Sequence, residues 1–427
     1  MIKLTKEVNA VINELEKNGF EAYAYGKCVR ESFLGEKPLD WDLATNARLD
    51  KLKELFPEAE TINKDREIIR LTYNENTDED MIIIDVLPYG TAVEDKNIKF
   101  YDDIESQLKE ESFVLNSMAD NPNRKFYDTY DARGDIKARI IKTIGEPKEV
   151  FKKTPVKMFE AVELAAELGF DIDNDVYEGI VENVDLLDDD SLGYVRRSLE
   201  RIIVSEHAGL GLNVLADTGL LGTVVGKEIY KGMRPSNRSD YIGLCEGIDK
   251  TKKVSDRRLA LFYYCFSPKK AHEAIDRLDY SEKTNDRLHD AIQSQIKINF
   301  LGTFGEFKHY LCEKGWDRYN YLNNVSKAQR IVYDYQATKI ESRQYYEAEI
   351  KKTGDPVFPE DLVVDANDVM EAGYANTKER ADELLRLVVE KTHVKPNKNN
   401  RDDLLKELKK LSKSKFAVAT RRIHWIK

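Results

Sequence analysis

The chain has 427 residues, of which 34% are charged, and its formal net charge at pH 7 is −11. A chain of this length is too long for one compact hydrophobic core, so we expect about two to four domains. The charged, acidic composition is typical of a soluble cytoplasmic protein. All apolar runs are much shorter than the roughly 18 residues that cross a membrane, which argues against a membrane span. The opening residues are amphipathic and charged, unlike a signal peptide.

The charge is unevenly distributed along the chain. From Lys391 to Lys427 the sequence has 12 Lys and Arg against 3 acids, a local net charge of +9, which leaves −20 on the preceding 390 residues. A basic end on an acidic protein indicates a polyanionic partner, although such ends are often only solvated. The four cysteines show no C-x-x-C spacing. This pattern indicates reduced thiols rather than a disulfide framework or a zinc site.

The first 147 residues alternate helical and strand patterns. Apolar spacing and turn residues predict, in chain order, helix 7–18, strand 22–25, a turn at Gly26, helix 29–34, strand 39–44, helix 47–56 and strands 67–73 and 81–87. The acidic link 74–80 predicts a hairpin turn between the last two strands. Beyond Pro147 the strand pattern fades, and helical periods dominate from Val156 to the end. The sequence therefore predicts an α+β fold, with a mixed sheet and helices followed by an all-α part.

Two aspartates alternate with apolar residues in the strand LDWDLA, which begins at Leu39. Successive side chains of a strand point to opposite faces, so Asp40 and Asp42 share one face, roughly 7 Å apart along the chain. Like charges this close repel, and hard cations such as Mg²⁺ favour carboxylate oxygens. The alternative is an edge strand with a solvated acidic face. Asp85 interrupts the apolar strand MIIIDVL, where a lone buried acid is costly unless it is paired or binds metal. We therefore expect Asp85 to be a third carboxylate beside the other two.

The order of the motifs resembles the class II tRNA nucleotidyltransferases (CCA-adding enzymes) and bacterial poly(A) polymerases. That family opens with Gly-Gly-x-Val-Arg-Asp, then Leu-Gly, then D-x-D and Ala-Thr. The matching residues here, with the same spacing, are Gly26, Lys27, Val29, Arg30, Glu31, Leu34, Gly35, Pro38, Asp40, Asp42, Ala44 and Thr45. Segments 110–119, 128–147 and 153–170 resemble later family motifs in the expected order. The region around RRLALFYYCFSPKK, residues 257–270, lacks the His-Asp pair of the longer members that carry an extra phosphohydrolase domain.

The resemblance implies an architecture and a reaction. It implies a nucleotidyltransferase head over 1–147, a base-recognising helical neck over 148–235, a helical body over 236–350 and a helical tail with an RNA-binding basic end over 351–427. The implied reaction is metal-dependent, template-independent addition of nucleotides from CTP and ATP to an RNA 3′-hydroxyl, with CCA addition to tRNA as the leading candidate. The expected partners are NTPs and a tRNA or other RNA 3′ end. The oligomeric state is left open.

The resemblance also assigns roles to individual residues. Asp40, Asp42 and Asp85 are the catalytic carboxylates, and Asp40 and Asp42 hold two Mg²⁺ ions that serve the attacking hydroxyl and the triphosphate. The implied nucleotide-binding residues are Gly26, Lys27, Arg30, Asn116, Thr154 and Lys157. Among them, Gly26 permits a tight turn close to phosphate, Arg30 pairs with the triphosphate, and Asn116 lies near the ribose.

Several positions depart from the family pattern. Lysine replaces the second glycine, Glu-Glu-Ser replaces Arg-Arg-Asp, Thr and Lys replace the base-reading Asp and Arg, and two glutamates replace later arginines. These residues are Lys27, Glu110, Glu111, Ser112, Thr154, Lys157, Glu160 and Glu163. An Asp–Arg pair presents an acceptor and a planar two-donor fork to a base, which Thr and Lys do not reproduce. Glutamates in place of arginines also weaken the binding of a polyanion.

Structural interpretations stay open for many of these side chains. Arg30 could pair with Glu31 or Asp42, Asn116 could be a buried, hydrogen-bonded amide, and Thr154 could cap a helix that starts at Pro155. A solvated helix face or an RNA track are equal interpretations of Arg196, Arg197 and Arg201. The aromatic and basic end SKFAVATRRIHWIK could stack on RNA or pack as a terminal strand.

Two other functions are open. One is a diverged nucleotidyltransferase that keeps the metal chemistry but uses another nucleotide or acceptor. The intact acids at 40, 42 and 85 and the altered residues Thr154 and Lys157 favour it. The other is a catalytically weak RNA-binding or regulatory homologue, which the loss of the arginines at 110 and 111 favours.

Overall fold

A computed structural model describes residues 2–74, 80–92, 98–233, 235–299, 301–333, 340–394 and 399–413. The described residues form two compact units. The first contains residues 2–233 with Arg277–Asp279, and the second contains 235–276 and the described residues from Tyr280 onward. Head and neck motifs thus lie in one unit, whose end near residue 233 is close to the predicted neck–body boundary. The finer division into four domains stays a prediction.

The first unit is built on strands that follow the period-2 pattern of the sequence. The strands are β1 Ala22–Tyr25, β2 Asp40–Thr45, β3 Glu60–Asn63, β4 Ile68–Tyr73, β5 Ile82–Pro88, β6 Gly90–Ala92, β7 Ile98–Phe100, β8 Met118–Asp120, β9 Tyr127–Asp128, β10 Ile140–Ile141 and β11 Asp171–Ile172. Seven of them form one sheet in the order β3-β4-β5-β2-β1-β8-β9, and β6–β7 and β10–β11 are separate pairs. Within the large sheet β2 and β5 are parallel, and the other neighbours are antiparallel. The sheet is therefore mixed, as predicted.

Helices surround this sheet and continue beyond it to form the rest of the first unit. They are α1 Lys6–Lys17, α2 Lys27–Phe33, α3 Leu49–Leu55, α4 Ile104–Leu108, α5 Ala132–Ala138, α6 Pro147–Lys153, α7 Lys157–Leu168, α8 Asn174–Asn183, α9 Leu192–Val204, α10 Ala208–Asp217, α11 Leu220–Val225 and α12 Lys227–Lys231. Helix α1 shows how the sequence sets an element. Thr5 caps it by accepting from the Val8 amide, and the helix buries Val8, Val11, Ile12 and Leu15 at the spacing of one helical face.

The second unit is helical throughout its described residues. Its helices are α13 Pro235–Gly247, α14 Ser255–Tyr264, α15 Pro268–Arg277, α16 Glu282–Asn299, α17 Phe304–Tyr333, α18 Ile340–Thr353, α19 Ala366–Glu371, α20 Lys378–Val394 and α21 Arg401–Ser412. Gly315 interrupts α17 with a backbone φ of 77°, which glycine adopts readily, so the chain kinks there. Leu384, Val388 and Leu408 lie in a core between α20 and α21. No helix of the described residues is long and apolar enough to cross a membrane.

The α+β fold and the elements predicted before residue 90 are confirmed, with bounds that agree to within a residue or two. Strands β4 and β5 pair antiparallel as the predicted hairpin requires, but its turn residues 75–79 lie outside the described residues. The sequence pattern did not predict β3, β8 and β9. These strands have 4, 3 and 2 residues, too few for alternation to stand out.

Candidate active site

The centre of the large sheet presents two carboxylates on one face. Asp40 is exposed and Asp42 partly buried on β2, while Trp41 and Leu43 between and beyond them are fully buried. The indole nitrogen of Trp41 donates to the Pro38 carbonyl at 3.0 Å, which satisfies the polar atom of this core side chain. The predicted alternation is confirmed. Because β2 lies inside the sheet between β5 and β1, the alternative of an edge strand is wrong.

Asp85 lies on the neighbouring strand, beside Asp42. In the parallel pairing of β2 and β5, Asp42 is the register partner of Asp85. Both Asp85 oxygens accept hydrogen bonds from Arg70 on β4, from Nε and from Nη2, each at 2.7 Å. Sequence reasoning missed Arg70, which is the cross-strand partner of Asp85. The lone acid of the apolar strand is thus already paired, as a buried carboxylate needs to be.

The three carboxylates influence one another electrostatically. Burial and, to a smaller extent, the nearby Asp40 and Asp85 raise the pKa of Asp42 to about 7, against the opposing effect of Arg70. Among the described residues, neither the Asp40 nor the Asp42 carboxylate accepts a hydrogen bond. Two neighbouring carboxylates whose oxygens have no hydrogen-bond partner are suitable ligands for a hard cation such as Mg²⁺.

The number of side chains available to bind a metal ion is small, however. No group of three or more His, Cys, Asp and Glu side chains in the described ranges is arranged to hold a metal ion. The fit to Mg²⁺ therefore extends to Asp40 and Asp42, while the oxygens of Asp85 are engaged by Arg70. The metal assignment stays a prediction.

The turn after β1 brings a glycine and two cations next to this face. Gly26 has φ 75° and ψ −133°, a conformation that L side chains rarely adopt, and its amide donates to the Met118 carbonyl at 3.0 Å. Arg30 on α2 is fully buried and donates through Nη1 to the amide oxygen of Asn116. Its Nη2 lies 3.4 Å from Glu167 Oε1. The salt bridge considered for Arg30 therefore exists, but its partner is Glu167 rather than Glu31 or Asp42.

Lys27, the residue in place of the second family glycine, contacts two acids. Its ammonium lies 3.4 Å from Glu31 and 3.3 Å from Glu167. Burial lowers the pKa of Lys27, but the two carboxylates raise it above its usual value. Glu167 belongs to α7, so sequence reasoning that looked only within the turn could not find it.

The predicted base-reading residues lie around the start of α7. Thr154 follows the end of α6, Lys157 is the first residue of α7, and no side chain caps α7. The expectation that Thr154 caps a helix starting at Pro155 is wrong, because residues 155 and 156 form a turn before α7 begins. Lys157 pairs with Glu160 at 2.5 Å.

Glu111, at the substituted motif, lies within the electrostatic reach of both regions. Burial and, to a smaller extent, Glu160 and Asp42 raise the pKa of Glu111 to about 7, while Lys157 opposes the increase. This pattern places the start of α7 and the carboxylates of β2 in one charged environment. The candidate site therefore contains more acids than the sequence motif of its relatives implies.

The three arginines of α9 have partners within the protein. Arg196 donates to the Asp279 carbonyl, Arg197 lies over the Tyr194 ring at 6.0 Å, and Arg201 pairs with Glu163 at 3.1 Å. Whether they also form an RNA track stays a prediction. The aromatic and basic end 414–427 lies outside the described residues.

Sequence comparison identifies relatives of the head and beyond. The family of Poly A polymerase head domains matches residues 22–142. The chain is 28% identical over 226 residues to the CCA-adding enzyme of Geobacillus stearothermophilus, covering 52% of this chain and 56% of that enzyme. It is 28% identical over 243 residues to the CC-adding tRNA nucleotidyltransferase of Halalkalibacterium halodurans, covering 56% and 60%. The chain thus matches a little over half the length of these curated relatives.

Solved structures share the fold over nearly the whole chain. The CCA-adding enzyme of Bacillus stearothermophilus in complex with CTP superposes with a TM-score of 0.74 at 20% identity, covering 95% of this chain and 96% of that one. The Thermotoga maritima CCA-adding enzyme complexed with tRNA-CCA gives a TM-score of 0.60 at 15% identity, covering 95% of both. The matched head, the aligned relatives and the shared fold confirm the resemblance: residues 22–142 match the Poly A polymerase head domain, and the chain is similar to CCA-adding enzymes over a little more than half of its length.

Proposed function

We propose that this protein is a metal-dependent, template-independent nucleotidyltransferase that adds nucleotides from NTPs to an RNA 3′-hydroxyl and builds the CCA end of tRNA. The observation that carries the proposal is the crowding of Asp40, Asp42 and Asp85 on neighbouring strands, which together with burial raises the pKa of Asp42 to about 7. A carboxylate held under repulsion gains from a divalent cation, and such cations serve phosphoryl chemistry.

The side chains of the site supply the remaining parts of the reaction. Asp40 and Asp42 would hold Mg²⁺, which when bound lowers the pKa of an attacking hydroxyl and offsets the charge of a triphosphate. Lys27 and Arg30 carry the positive charge near this face, where they can bind phosphate oxygens. Asn116 orients Arg30 by accepting its hydrogen bond.

The similar proteins favour CTP, ATP and tRNA as substrates. Solved relatives of this fold are CCA-adding enzymes in complex with CTP, with ATP and with tRNA-CCA. The aligned relatives are CCA-adding enzymes and a CC-adding tRNA nucleotidyltransferase. Both groups support tRNA as the first acceptor to test.

The test is a nucleotide-incorporation assay with purified protein, Mg²⁺, each labelled NTP in turn, and a tRNA that ends before its CCA. We expect C and then A to be added at the tRNA 3′ end, with no addition when Mg²⁺ is chelated. Asp42→Ala should lose the activity, while Asp50→Ala, an exposed aspartate on α3 of the same domain, should keep it. A folded wild-type protein that incorporates none of the four NTPs would contradict the proposal.

A different nucleotide preference is the second candidate, and the Lys157–Glu160 pair favours it. The family pair offers a carboxylate and a planar two-donor fork, whereas this pair offers a carboxylate and one compact ammonium, so its donor side is smaller. A base edge with two adjacent N–H donors and a carbonyl, as in guanine, matches that arrangement better than cytosine or adenine does. Offering all four NTPs together in the same assay separates the two candidates, because CCA addition excludes GTP.

A further inference from the structure

The two cations assigned to the triphosphate share one acid. Lys27 Nζ lies 3.3 Å from Glu167 Oε1, and Arg30 Nη2 lies 3.4 Å from the same oxygen. Both cations come from α2, whereas Glu167 lies in the last turn of α7, 137 residues beyond Arg30. One carboxylate oxygen therefore lies between the two positive charges that a phosphate would contact.

Arg30 has more hydrogen-bonding capacity than its present partners use. The side chain is 1% exposed, and its Nε is buried without a hydrogen-bond partner among the described residues. A guanidinium offers five N–H donors in a fixed fork, and here Asn116 and Glu167 accept from the two terminal nitrogens. A polyanion with several oxygens would satisfy this buried group better than one carboxylate does.

Glu167 is able to leave these contacts. Its side chain is 39% exposed, so it can turn into solvent without burying an unpaired charge. Ion pairs that reach the surface are weak, since water and salt screen them. Arg30, in contrast, is held in position by burial, so a ligand that replaces Glu167 can bind to it without reorienting the guanidinium group.

We propose that the Glu167 carboxylate occupies the phosphate-binding position of Lys27 and Arg30, and that a polyphosphate must displace it to bind there. The inference rests on the proposed function in assigning these two cations to a triphosphate. Glu167 competes with the ligand in the ground state and takes no part in the chemical step. Its removal should therefore lower KM for the nucleotide and leave kcat unchanged.

The experiment measures the binding of inorganic tripolyphosphate to the full chain by calorimetry, with divalent metal chelated. Omitting the metal isolates the contacts of Lys27 and Arg30 from those of the aspartates. Glu167→Gln keeps the shape of the side chain and removes its charge, so we expect Kd to fall about three- to tenfold. The matched control is Glu178→Gln, an exposed glutamate on α8, which should leave Kd unchanged.

A Kd that falls for Glu167→Gln but not for the control supports the inference. Equal Kd values for wild type and Glu167→Gln overturn it, and so does a failure of tripolyphosphate to bind either protein. If thermal melting shows that Glu167→Gln is unfolded, the Glu167→Asp variant replaces it in the test. Its shorter side chain cannot bring the carboxylate to both cations, so this variant should also bind tripolyphosphate more tightly than wild type. Tighter tripolyphosphate binding without NTP incorporation by the wild type would contradict the proposed function and leave this inference standing.

Discussion

Two regions of the first unit differ in whether their charged side chains have partners within the protein. On β2, the Asp40 and Asp42 carboxylates accept no hydrogen bond from any described residue, and burial together with the nearby Asp40 and Asp85 raises the pKa of Asp42 to about 7. On α7 the charged side chains are paired within the protein: Lys157 with Glu160, Glu163 with Arg201, and Glu167 with Lys27 and Arg30. Asp40 and Asp42 are thus available for a cation, whereas these charged side chains of α7 already have partners within the protein. Under the proposed function, we therefore expect metal-dependent chemistry at the sheet and altered nucleotide recognition at α7.

The sharpest way to break this comparison is to remove a carboxylate of the sheet. Asp42→Asn keeps the side-chain shape but loses the charge that would hold Mg²⁺. We expect nucleotide incorporation to fall more than about 1,000-fold, or about 4 kcal/mol of transition-state stabilisation. Single-turnover incorporation measures the effect, with Asp50→Ala as the control. A variant that keeps a tenth of the wild-type rate would remove Asp42 from the reaction.

The same substitution should change the pH dependence of stability in the metal-free protein. The folded pKa of Asp42, about 7, lies above the ordinary value of 3.8. The stability that this difference contributes is fully present below about pH 4 and is lost as the pH rises to about 7. Asp42→Asn should therefore gain about 2 kcal/mol relative to wild type at pH 8, and much less at pH 5. Urea unfolding in a chelator at both pH values measures this difference.

Comparing variant with wild type is essential in that experiment, because other groups titrate in the same range. Glu111 also has a raised pKa of about 7 and contributes with the same sign. His393, whose burial lowers its pKa to about 4, contributes with the opposite sign. The contribution of His393 is common to both proteins and cancels in the difference, whereas Glu111 loses the repulsion from Asp42 in the variant, which adds to the expected gain with the same sign. An equal change for variant and wild type between pH 5 and 8 would mean that the folded protein does not raise the pKa of Asp42.

Local periodicity explains why much of the head was predictable. Strand β2 has buried Trp41 and Leu43 alternating with two acids, and that pattern needs only the period-2 geometry of a strand. The apolar run that became β5 was equally clear. The turn at Gly26 was marked by a residue that tolerates positive φ. Each of these features depends on neighbours within a few positions of the sequence.

The partners of the site residues depend on the fold instead. Arg70 meets Asp85 because β4 and β5 pair in one register, and a shift of one residue would separate them. Glu167 reaches Arg30 across 137 positions because the fold brings the last turn of α7 beside the Arg30 side chain. No local pattern encodes either contact, so the sequence showed which residues could do chemistry but not which of them are already paired.

The comparison can be sharpened at α7, where we expect a smaller effect. Glu160→Gln removes the negative acceptor from the Lys157–Glu160 pair, which we expect to favour bases with adjacent N–H donors. The use of GTP relative to CTP should fall about tenfold, or about 1.4 kcal/mol. Competition among all four NTPs at equal concentration measures the ratio, with the exposed Glu149→Gln on α6 as the control. A parallel change for all four nucleotides would assign Glu160 to triphosphate binding rather than to base reading.

The smallest expected effect concerns Arg70, which ties up the third acid of the sheet. Arg70→Gln breaks a bidentate pair with Asp85, but Arg70 is 37% exposed, so solvent screening limits the loss of stability to about 1 kcal/mol. The freed carboxylate would then lie beside Asp42 as a further oxygen donor, and Mg²⁺ should bind more tightly. Arg48→Gln is the matched control, because Arg48 forms a similar bidentate pair with Glu67 at 2.8 and 2.6 Å. Urea unfolding should show a similar loss for both variants, and Mg²⁺ calorimetry should separate them. Weaker Mg²⁺ binding in Arg70→Gln would mean that the Arg70–Asp85 pair positions Asp85 for the metal. The arrangement of the site on the sheet would then depend on an internal ion pair, as the charged side chains of α7 do.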